Sequence, residues 1–221
     1  MTTDPPSAPD PSAIAERARA AGITLTKRSA ELLAAHARAV LEANNQLHLT
    51  AITQPAAFFE RHLGEAFEGA ALLPKTLKGI LLDLGSGNGY PGIPLAIARP
   101  GLTPVLAEAS SKKAEFLRRA LALAGLAAGT VLEAHIGRAT DLGDLPPIAV
   151  LATRAMGGWE RVIPKLASRL SSNGHVLIWA GADAASIMGR AAWSRLRVEK
   201  SRVLPGRNHS HVYSLRSASI V

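Results

Sequence analysis

A glycine-rich segment that follows a short apolar run is the part of this sequence best suited to bind a ligand. Residues 81–95 read Leu-Leu-Asp-Leu-Gly-Ser-Gly-Asn-Gly-Tyr-Pro-Gly-Ile-Pro-Leu. An apolar strand that runs into glycines and then into a helix lies at the C-terminal edge of a parallel sheet, where such folds bind ligands. Because glycines let backbone amides approach a ligand closely, the segment predicts a binding loop.

Two classes of ligand compete for this loop. The spacing Gly87-x-Gly89-x-x-Gly92 matches a dinucleotide fingerprint and would indicate an NAD-dependent oxidoreductase. That fingerprint places its first glycine directly after the strand, however, and here this glycine is Gly85. The carboxylate of Asp83 would repel a pyrophosphate by about 1 kcal/mol at 4 Å even in water. The same carboxylate suits a ligand that carries a sulfonium or an ammonium and no phosphate.

S-adenosylmethionine is such a ligand. The pattern Asp83-x-Gly85-x-Gly87-x-Gly89, with an acidic residue after the next strand, is the signature of class I methyltransferases. Glu108 takes the acidic position and is expected to hold the ribose. The alternative without a ligand is that the glycines serve only a tight turn. A P-loop is excluded, since no Gly-Lys-Ser/Thr follows the glycines.

The elements that must position this loop alternate between β-rich runs and helical stretches after residue 78. This alternation predicts an α/β fold with a mostly parallel sheet and helices on both faces. Strands are expected at 79–85, 103–109, 130–136, 148–155, 174–181, 196–204 and 211–216, and helices at 92–99, 112–124, 157–170 and 183–193. Only the turn Pro205–Asn208 joins the last two strands, which predicts an antiparallel hairpin.

The first 75 residues show no strand pattern. Residues 1–12 are rich in Pro, Ser, Thr and Asp and predict a disordered tail. Residues 13–75 predict an N-terminal helical cap, with helices at 12–21, 29–45 and 54–72, of which the second carries an amphipathic apolar stripe. Residues 76–221 are assigned to the domain that contains the sheet.

Composition excludes several other kinds of site. The 221 residues include no cysteine, so disulfides, thiolate zinc sites and cysteine nucleophiles are excluded. None of the seven histidines is paired at i, i+4 with a nearby acidic partner, and no metal is expected. The longest charge-free apolar run, residues 120–132, is too short to span a bilayer. We therefore expect a cytoplasmic protein without a membrane association.

The positive charge is concentrated at one end of the chain. Residues 1–150 carry fourteen Lys/Arg and fourteen Asp/Glu, whereas residues 151–221 carry eleven and three, so the latter hold the whole net charge of +8. Localised basicity indicates a surface for a polyanion, although a solvated basic face is the alternative. We expect Arg197, Arg202 and Arg207 to contact an RNA backbone. A small-molecule substrate would not need such a surface.

The segment from Asp83 to Leu95 resembles the family of ribosomal RNA small subunit methyltransferase G, also called glucose-inhibited division protein B. Its run Gly-Tyr-Pro-Gly-Ile-Pro-Leu is far more specific than the methyltransferase glycines alone. Further matches follow in the family's order over residues 27–217: Leu49–Ile52, Arg61-His62, Glu108–Lys113 with Phe116-Leu117, and Thr153–Ala155.

The resemblance implies a seven-stranded, Rossmann-like class I methyltransferase fold behind the helical cap, with S-adenosylmethionine as cofactor. It implies methylation of N7 of one guanine in 16S ribosomal RNA, nucleotide 527 in the usual rRNA numbering. The partner would be 16S rRNA or the small ribosomal subunit, and the chain would act as a monomer. A different RNA base, a small-molecule substrate and a non-catalytic RNA-binding module are the alternatives.

The resemblance also implies roles for individual residues. Cofactor contacts are expected from Asp83, Gly85, Gly87, Gly89, Tyr90, Glu108, Ala139, Thr140 and Arg154, with Ala139 and Thr140 near the adenine. Arg61 and His62 are expected to contact RNA phosphates, and Arg154 is the candidate for the base-facing edge of the site. Since N7 of guanine has a lone pair and no proton, its methylation needs alignment and no general base, so no catalytic dyad is expected.

Three positions depart from the family's pattern: His48 replaces a frequent Asn, Thr140 a common acidic residue, and Ala180 a lysine found in many members after the fifth strand. Any RNA contact from that lysine must come from another residue here.

Overall fold

One seven-stranded sheet organises the molecule. The computed structural model describes residues 8–154, 156–181, 183–207 and 209–217. The strands are β1 (Gly79–Leu84), β2 (Leu102–Glu108), β3 (Thr130–Glu133), β4 (Ile148–Arg154), β5 (Leu170–Gly181), β6 (Leu196–Val203) and β7 (Ser210–Ser217). Their spatial order is β3-β2-β1-β4-β5-β7-β6. Strands β1 to β5 pair in parallel, whereas β7 is antiparallel to both β5 and β6. The predicted fold class and the predicted terminal hairpin are confirmed.

Eight α-helices accompany the sheet in the described residues. They are α1 (Pro11–Ala20), α2 (Lys27–Leu47), α3 (Pro55–Phe58), α4 (Glu65–Ala71), α5 (Gly92–Ala98), α6 (Ser111–Leu123), α7 (Trp159–Leu166) and α8 (Ala184–Met188). A π-helical turn, Phe59–Gly64, joins α3 to α4, so the helix predicted at 54–72 is continuous but contains an irregular turn. Such turns are frequent at functional sites, and this one carries Arg61 and His62. Within the described residues, no helix is long and apolar enough to cross a bilayer.

The first helix begins inside the predicted tail. Asp10 caps α1, since its side chain accepts a hydrogen bond from the backbone N–H of Ser12 at 2.8 Å, and Pro11 occupies the first turn, where its missing N–H has no consequence. Pro11 and Ser12 are therefore helical, and the prediction of disorder through residue 12 is wrong at these two positions. Residues 1–7 lie outside the described part of the chain.

Other predicted bounds shift for local reasons. Strand β3 ends at Glu133 because its only neighbour, β2, ends at the opposite residue, Glu108. The helix predicted at 157–170 ends at Leu166, and β5 starts at Leu170, which pairs with β4. Helix α8 ends at Met188, with Gly189 as its C-cap, so the predicted helix 183–193 is divided, with a 3-10 turn at 191–193. Ala155 and Asn208, placed in a predicted strand and turn, lie outside the described residues.

The cap helices pack directly on one face of the sheet. One hydrophobic cluster contains side chains of α1, α2 and α4 together with Leu81, Leu177 and Val212 from the sheet, and a second cluster covers the opposite face. At Gly69 of α4, a Cβ would lie 2.2 Å from the indole of Trp179 in β5. The Trp179 indole N–H also donates to the carbonyl of Glu65 at 3.0 Å. Helix α4 is therefore fixed against the C-terminal end of β5.

Candidate functional site

The glycine loop between β1 and α5 has a backbone that other residues rarely adopt. Gly85, Gly87 and Gly89 have φ values of +67°, +53° and +86°, which lie in the left-handed region where only glycine is unstrained. At Gly89 a Cβ would also lie 2.8 Å from Ile93 and 3.0 Å from His36. The sequence pattern therefore specifies the course of this loop.

Asp83, near the end of β1, holds the loop in position. It is 1% exposed, and its Oδ2 accepts a hydrogen bond from the backbone N–H of Gly92 at 3.1 Å. Burial raises the pKa of Asp83 to about 7, while the Gly92 N–H opposes that rise. Asp83 lines neither of the clefts beside the loop. The structure gives it a positioning role, and its direct contact with the cofactor stays a prediction.

Gly92, the third glycine of the dinucleotide fingerprint, has a packing role. A Cβ at this position would lie 2.6 Å from Leu106 and 2.7 Å from Oδ2 of Asp83. Gly92 is buried in α5 and lines neither cleft. Its presence follows from the close approach of α5 to β1 and β2. The dinucleotide fingerprint gives its third glycine the same packing role, so Gly92 does not distinguish between the two classes of ligand.

A first cleft of about 400 Å³ opens on one side of the loop. Its walls come from the ends of β1, β2 and β4 and from Ala134–Gly137 after β3. Gly85 and Glu108 line this cleft together with apolar side chains such as Ile136 and Met156. Of the predicted cofactor residues, the structure places only Gly85 and Glu108 here.

The acidic residue at the end of β2 is joined to the loop. Glu108 Oε2 accepts from the backbone N–H of Gly87 at 3.0 Å, and Oε1 accepts from that of Ser110 at 2.9 Å. A carboxylate has about four lone-pair sites, so both oxygens retain acceptor capacity toward the cleft. Glu108 thus couples the glycine loop to the position where a ribose is expected.

Ala139 and Thr140 do not line the first cleft. The chain turns away at Gly137, because the backbone N–H groups of Gly137 and Arg138 both donate to Asp141 Oδ2, at 2.9 and 3.0 Å. Ala139 and Thr140 then form a 3-10 turn. The residues of this segment that line the first cleft are the preceding ones, Ala134–Gly137.

A second cleft of about 470 Å³ lies on the cap side of the loop. Its lining includes Leu49–Ile52 after α2, the π-helical turn, the segment Gly85–Asn88, and Arg154 at the end of β4. Gly85 lines both clefts. The two clefts therefore meet at the first glycine of the loop.

Three side chains in the second cleft form a directed hydrogen-bond chain. Arg154 Nη2 lies 2.7 Å from His62 Nδ1, and His62 Nε2 lies 3.0 Å from Thr50 Oγ1. Since a guanidinium only donates hydrogen bonds, His62 accepts at Nδ1 and carries its proton on Nε2. Burial, followed by the charge of Arg154, lowers the pKa of His62 to about 2. Arg154 also donates to the carbonyl of Arg61, and so it joins the sheet to the cap.

His62 and Tyr90 pack on each other in the second cleft. His62 is 3% exposed and uncharged, so it is unsuited to binding an RNA phosphate. Its ring stacks on that of Tyr90 with centroids 4.8 Å apart, and Tyr90 also packs against His36. Tyr90 lines the second cleft and not the first. Its contact with the cofactor stays a prediction.

The buried carboxylate of Glu65 forms ion pairs with three arginines at the second cleft. Glu65 forms ion pairs with Arg61 Nε at 3.0 Å, Arg207 Nη1 at 3.3 Å and Arg154 Nη1 at 3.7 Å, and its side chain is 2% exposed. The cluster carries two net positive charges. Arg207 lines the same cleft as Ala180, so a cation is present beside the position where many family members carry lysine.

A bulge in β6 aligns three basic side chains. The pairing with β7 shifts register between Val198 and Lys200, so Arg197, Lys200 and Arg202 oppose Arg216, Ser214 and Val212. Opposed residues share a sheet face, and Val212 belongs to the cluster on the cap side. Arg202 is partly engaged there, by an ion pair with Glu68 at 2.7 Å. A regular period of two would have placed Arg197 and Arg202 on opposite faces.

The sheet order and the glycine loop define a class I methyltransferase, and solved structures agree with this class. A ribosomal protein L11 methylase from Lactobacillus delbrueckii subsp. bulgaricus aligns with a TM-score of 0.58 at 14% identity, over 71% of this chain and 78% of that chain. MtNAS in complex with MTA and tNA aligns with a TM-score of 0.58 at 15% identity, over 98% and 91%. These likenesses establish the fold, which is that of S-adenosylmethionine-dependent methyltransferases.

Sequence comparison identifies the family. The family model for rRNA small subunit methyltransferase G matches residues 29–205. The ribosomal RNA small subunit methyltransferase G of Sorangium cellulosum is 36% identical over 187 residues, which cover 83% of this chain and 77% of the relative. That of Myxococcus xanthus is 32% identical over 195 residues, 86% and 87% of the two chains. The chain belongs to the rRNA small subunit methyltransferase G family.

Thr50 and Glu65 are the site residues that sequence reasoning missed. Thr50 lies inside the matched motif Leu49–Ile52, but a threonine in a loop gives no signal of its hydrogen-bond partners. Glu65 lies in the predicted helix at 54–72, where the sequence gives no signal that this carboxylate is buried, and its burial follows from the packing of α4 on Trp179.

Proposed function

We propose that this protein methylates N7 of a single guanine in 16S ribosomal RNA, nucleotide 527 in the usual rRNA numbering, with S-adenosylmethionine as the methyl donor. Its partner is 16S rRNA or the small ribosomal subunit, and it acts as a monomer in the cytoplasm. Membership of the family supports the substrate. The pair of clefts that meet at Gly85 supports transfer from one ligand to another.

The first cleft suits S-adenosylmethionine. Each oxygen of the Glu108 carboxylate accepts one hydrogen bond from the backbone and can accept another, as two ribose hydroxyls require. Ile136 and Met156 offer apolar surface to an adenine. Gly85 brings the backbone of the loop to the junction of the two clefts. When bound, S-adenosylmethionine supplies a methyl group activated by its attachment to a sulfonium.

The observation that carries the proposal is the absence of a free base among the described residues of the second cleft. Both nitrogens of His62 are engaged by Arg154 and Thr50. The Glu65 carboxylate is ion-paired with three arginines, and burial raises the pKa of Tyr90. A site in which each of these groups already has a partner or holds its proton suits a reacting atom that has no proton to lose, and N7 of guanine is such an atom. The protein's contribution is alignment.

The remaining basic residues suit the RNA backbone. A guanine in folded RNA must be swung out to enter a cleft, and this requires contacts to the flanking backbone. Arg61 and Arg207 lie at the second cleft, and Arg197, Lys200 and Arg202 share the cap-side face of β6. Together they form a positive path that ends at the proposed entrance for the base.

Chemical mapping of the product tests this function. Small subunits from a bacterium that lacks its own family member are incubated with the protein and radiolabelled S-adenosylmethionine. We expect one label per 16S rRNA, released as 7-methylguanosine, and one chain break after borohydride and aniline treatment. A Gly85→Val variant serves as the inactive control. Label in another nucleoside, or in no nucleoside, would refute the proposal.

A further inference from the structure

The hydroxyl group of Thr50 is held so that it can only donate a hydrogen bond into the second cleft. Its oxygen accepts from the backbone N–H of Ile52 at 3.0 Å. It also accepts from His62 Nε2–H at 3.0 Å, since Arg154 occupies the other nitrogen of that ring. A hydroxyl oxygen has two acceptor sites and one proton to donate. Both acceptor sites are used, and the proton remains.

The backbone at Thr50 is fixed as well. Helix α2 ends at Leu47 and is capped by His48, which has a left-handed backbone with φ of +48°. The N–H of Thr50 donates to Asn44 Oδ1 at 2.8 Å. Thr50 lines the second cleft together with the Gly85–Asn88 segment and Arg154. A donor with fixed direction therefore stands in the wall of the cleft to which the proposed function assigns the base.

The purine edge next to N7 distinguishes the bases by their hydrogen-bonding groups. Guanine presents two acceptors there, N7 and O6, whereas adenine presents the N7 acceptor and the N6 amino donor. A group that can only donate a hydrogen bond pairs with O6 of guanine. Opposite adenine, the same group would face the N6 amino group, which is also a donor. Buried polar groups left without partners give the strongest discrimination between similar substrates.

We propose that the Thr50 hydroxyl donates a hydrogen bond to O6 of the target guanine and thereby selects guanine over adenine, with Arg154 and His62 setting its direction. This inference rests on the proposed function. Thr50 is a specificity residue that touches the base, and Arg154 and His62 are positioning residues that act through it. The neutral state of His62 agrees with this arrangement, because a charged ring could not accept from Arg154.

A substrate that lacks O6 separates this contact from a structural role. Small subunits are reconstituted with guanine or with 2-aminopurine, which has N7 but no O6, at the methylated position. Single-turnover methylation is measured for the wild-type protein, for Thr50→Val, which removes the hydroxyl but retains the shape, and for Thr50→Ser, which retains the hydroxyl. Thermal melting of each variant reports whether the loss of the Ile52 and His62 contacts disturbs the fold.

We expect the wild-type protein to methylate guanine roughly tenfold faster or more than 2-aminopurine. Thr50→Val should lose a similar factor on guanine and change little on 2-aminopurine, and Thr50→Ser should retain the preference for guanine. An equal loss on both bases would show that Thr50 is only structural and would overturn the inference while leaving the proposed function intact. If the wild-type protein methylates no guanine N7, the proposed function fails, and the inference fails with it.

Discussion

Arg154 at the end of β4 donates a hydrogen bond to His62 in the π-helical turn, with 2.7 Å between Nη2 and Nδ1. This contact joins the sheet to the cap at the second cleft. It also fixes the protonation of a buried histidine, since the ring must accept from a group that only donates. One contact between two elements that are far apart in the sequence thus selects which nitrogen of His62 carries the proton.

Buried neutral histidines make stability depend on pH. Burial lowers the pKa of His36 to about 4 and that of His62 to about 2, so below pH 6.5 the unfolded chain binds protons that the folded chain does not. Stability from these groups is complete above pH 6.5 and is lost as the pH falls toward those values. Asp83 acts in the opposite direction between pH 7 and 3.8, because its pKa is raised to about 7.

We therefore expect His36→Asn to flatten the pH dependence of the free energy of unfolding. Between pH 6.5 and 4.5 the slope should decrease by up to about 1.4 kcal/mol per pH unit, the value for one titrating group. Urea denaturation at several pH values measures it. Asp83→Asn serves as the opposite control, since removal of its contribution should steepen the slope. Parallel pH profiles of the wild type and His36→Asn would contradict the assignment.

Enlargement of Gly85 should abolish cofactor binding. Gly85 lines both clefts, and a valine side chain there would fill the junction and strain a backbone with φ of +67°. Calorimetry should detect no binding of S-adenosylmethionine to Gly85→Val, while circular dichroism stays near that of the wild type. Gly22→Val is the matched control, because Gly22 has φ of +84° in open space away from the loop. Unchanged affinity in Gly85→Val would refute the loop's assignment.

Loss of the Glu108 carboxylate should weaken cofactor binding. Removal of hydrogen bonds to a charged group predicts a loss of about 1.5–3 kcal/mol for Glu108→Ala, measured as the Kd for S-adenosylmethionine. Glu133→Ala is the control, since Glu133 stands opposite Glu108 at the end of β3 but does not line the first cleft. A change in Kd of less than about threefold, well below that range, would show that Glu108 does not bind the ribose.

The sequence predicted the sheet, the loop and the junction between them because these depend on local patterns. Apolar runs, glycines that need positive φ and a turn between two strands are all readable along the chain. The contacts among the site residues were not predicted. Tyr90 stacks on His62, and Asp83 accepts a hydrogen bond from the backbone N–H of Gly92. The residues in these contacts come from separate segments of the chain, so no residue spacing in the sequence predicts the contacts.

The arrangement of the basic residues was also only partly predictable from the sequence. The charge excess after residue 150 indicated a polyanion, but the bulge in β6 decided which side chains share a face. Arg207, which was predicted only to contact an RNA backbone, also lines the second cleft beside Gly85–Asn88. The ion pairs of Arg202 with Glu68 and of Arg207 with Glu65 depend on how α4 packs on the sheet.

These positions change how the basic residues should be tested. Each phosphate neutralised by a cation contributes roughly 0.7–0.9 to the slope of log affinity against log salt concentration. A triple variant with glutamine at Arg197, Arg202 and Arg207 should flatten that slope by about two units or more and leave the affinity for S-adenosylmethionine unchanged, since none of the three lines the first cleft. Binding of 16S rRNA at several salt concentrations measures the slope.

Single variants then distinguish residues that contact only the RNA backbone from those that also line the second cleft. Arg197→Gln should reduce the slope of log affinity against log salt concentration by roughly 0.7–0.9, the contribution of one phosphate. It should change the rate of methylation little at saturating RNA. Arg207→Gln should also slow methylation, because Arg207 lies in the second cleft. Arg28→Gln on α2, whose side chain is 75% exposed, is the matched surface control. If the triple variant and the wild type have equal slopes, β6 is a solvated face, and the RNA must follow the cap past Arg61.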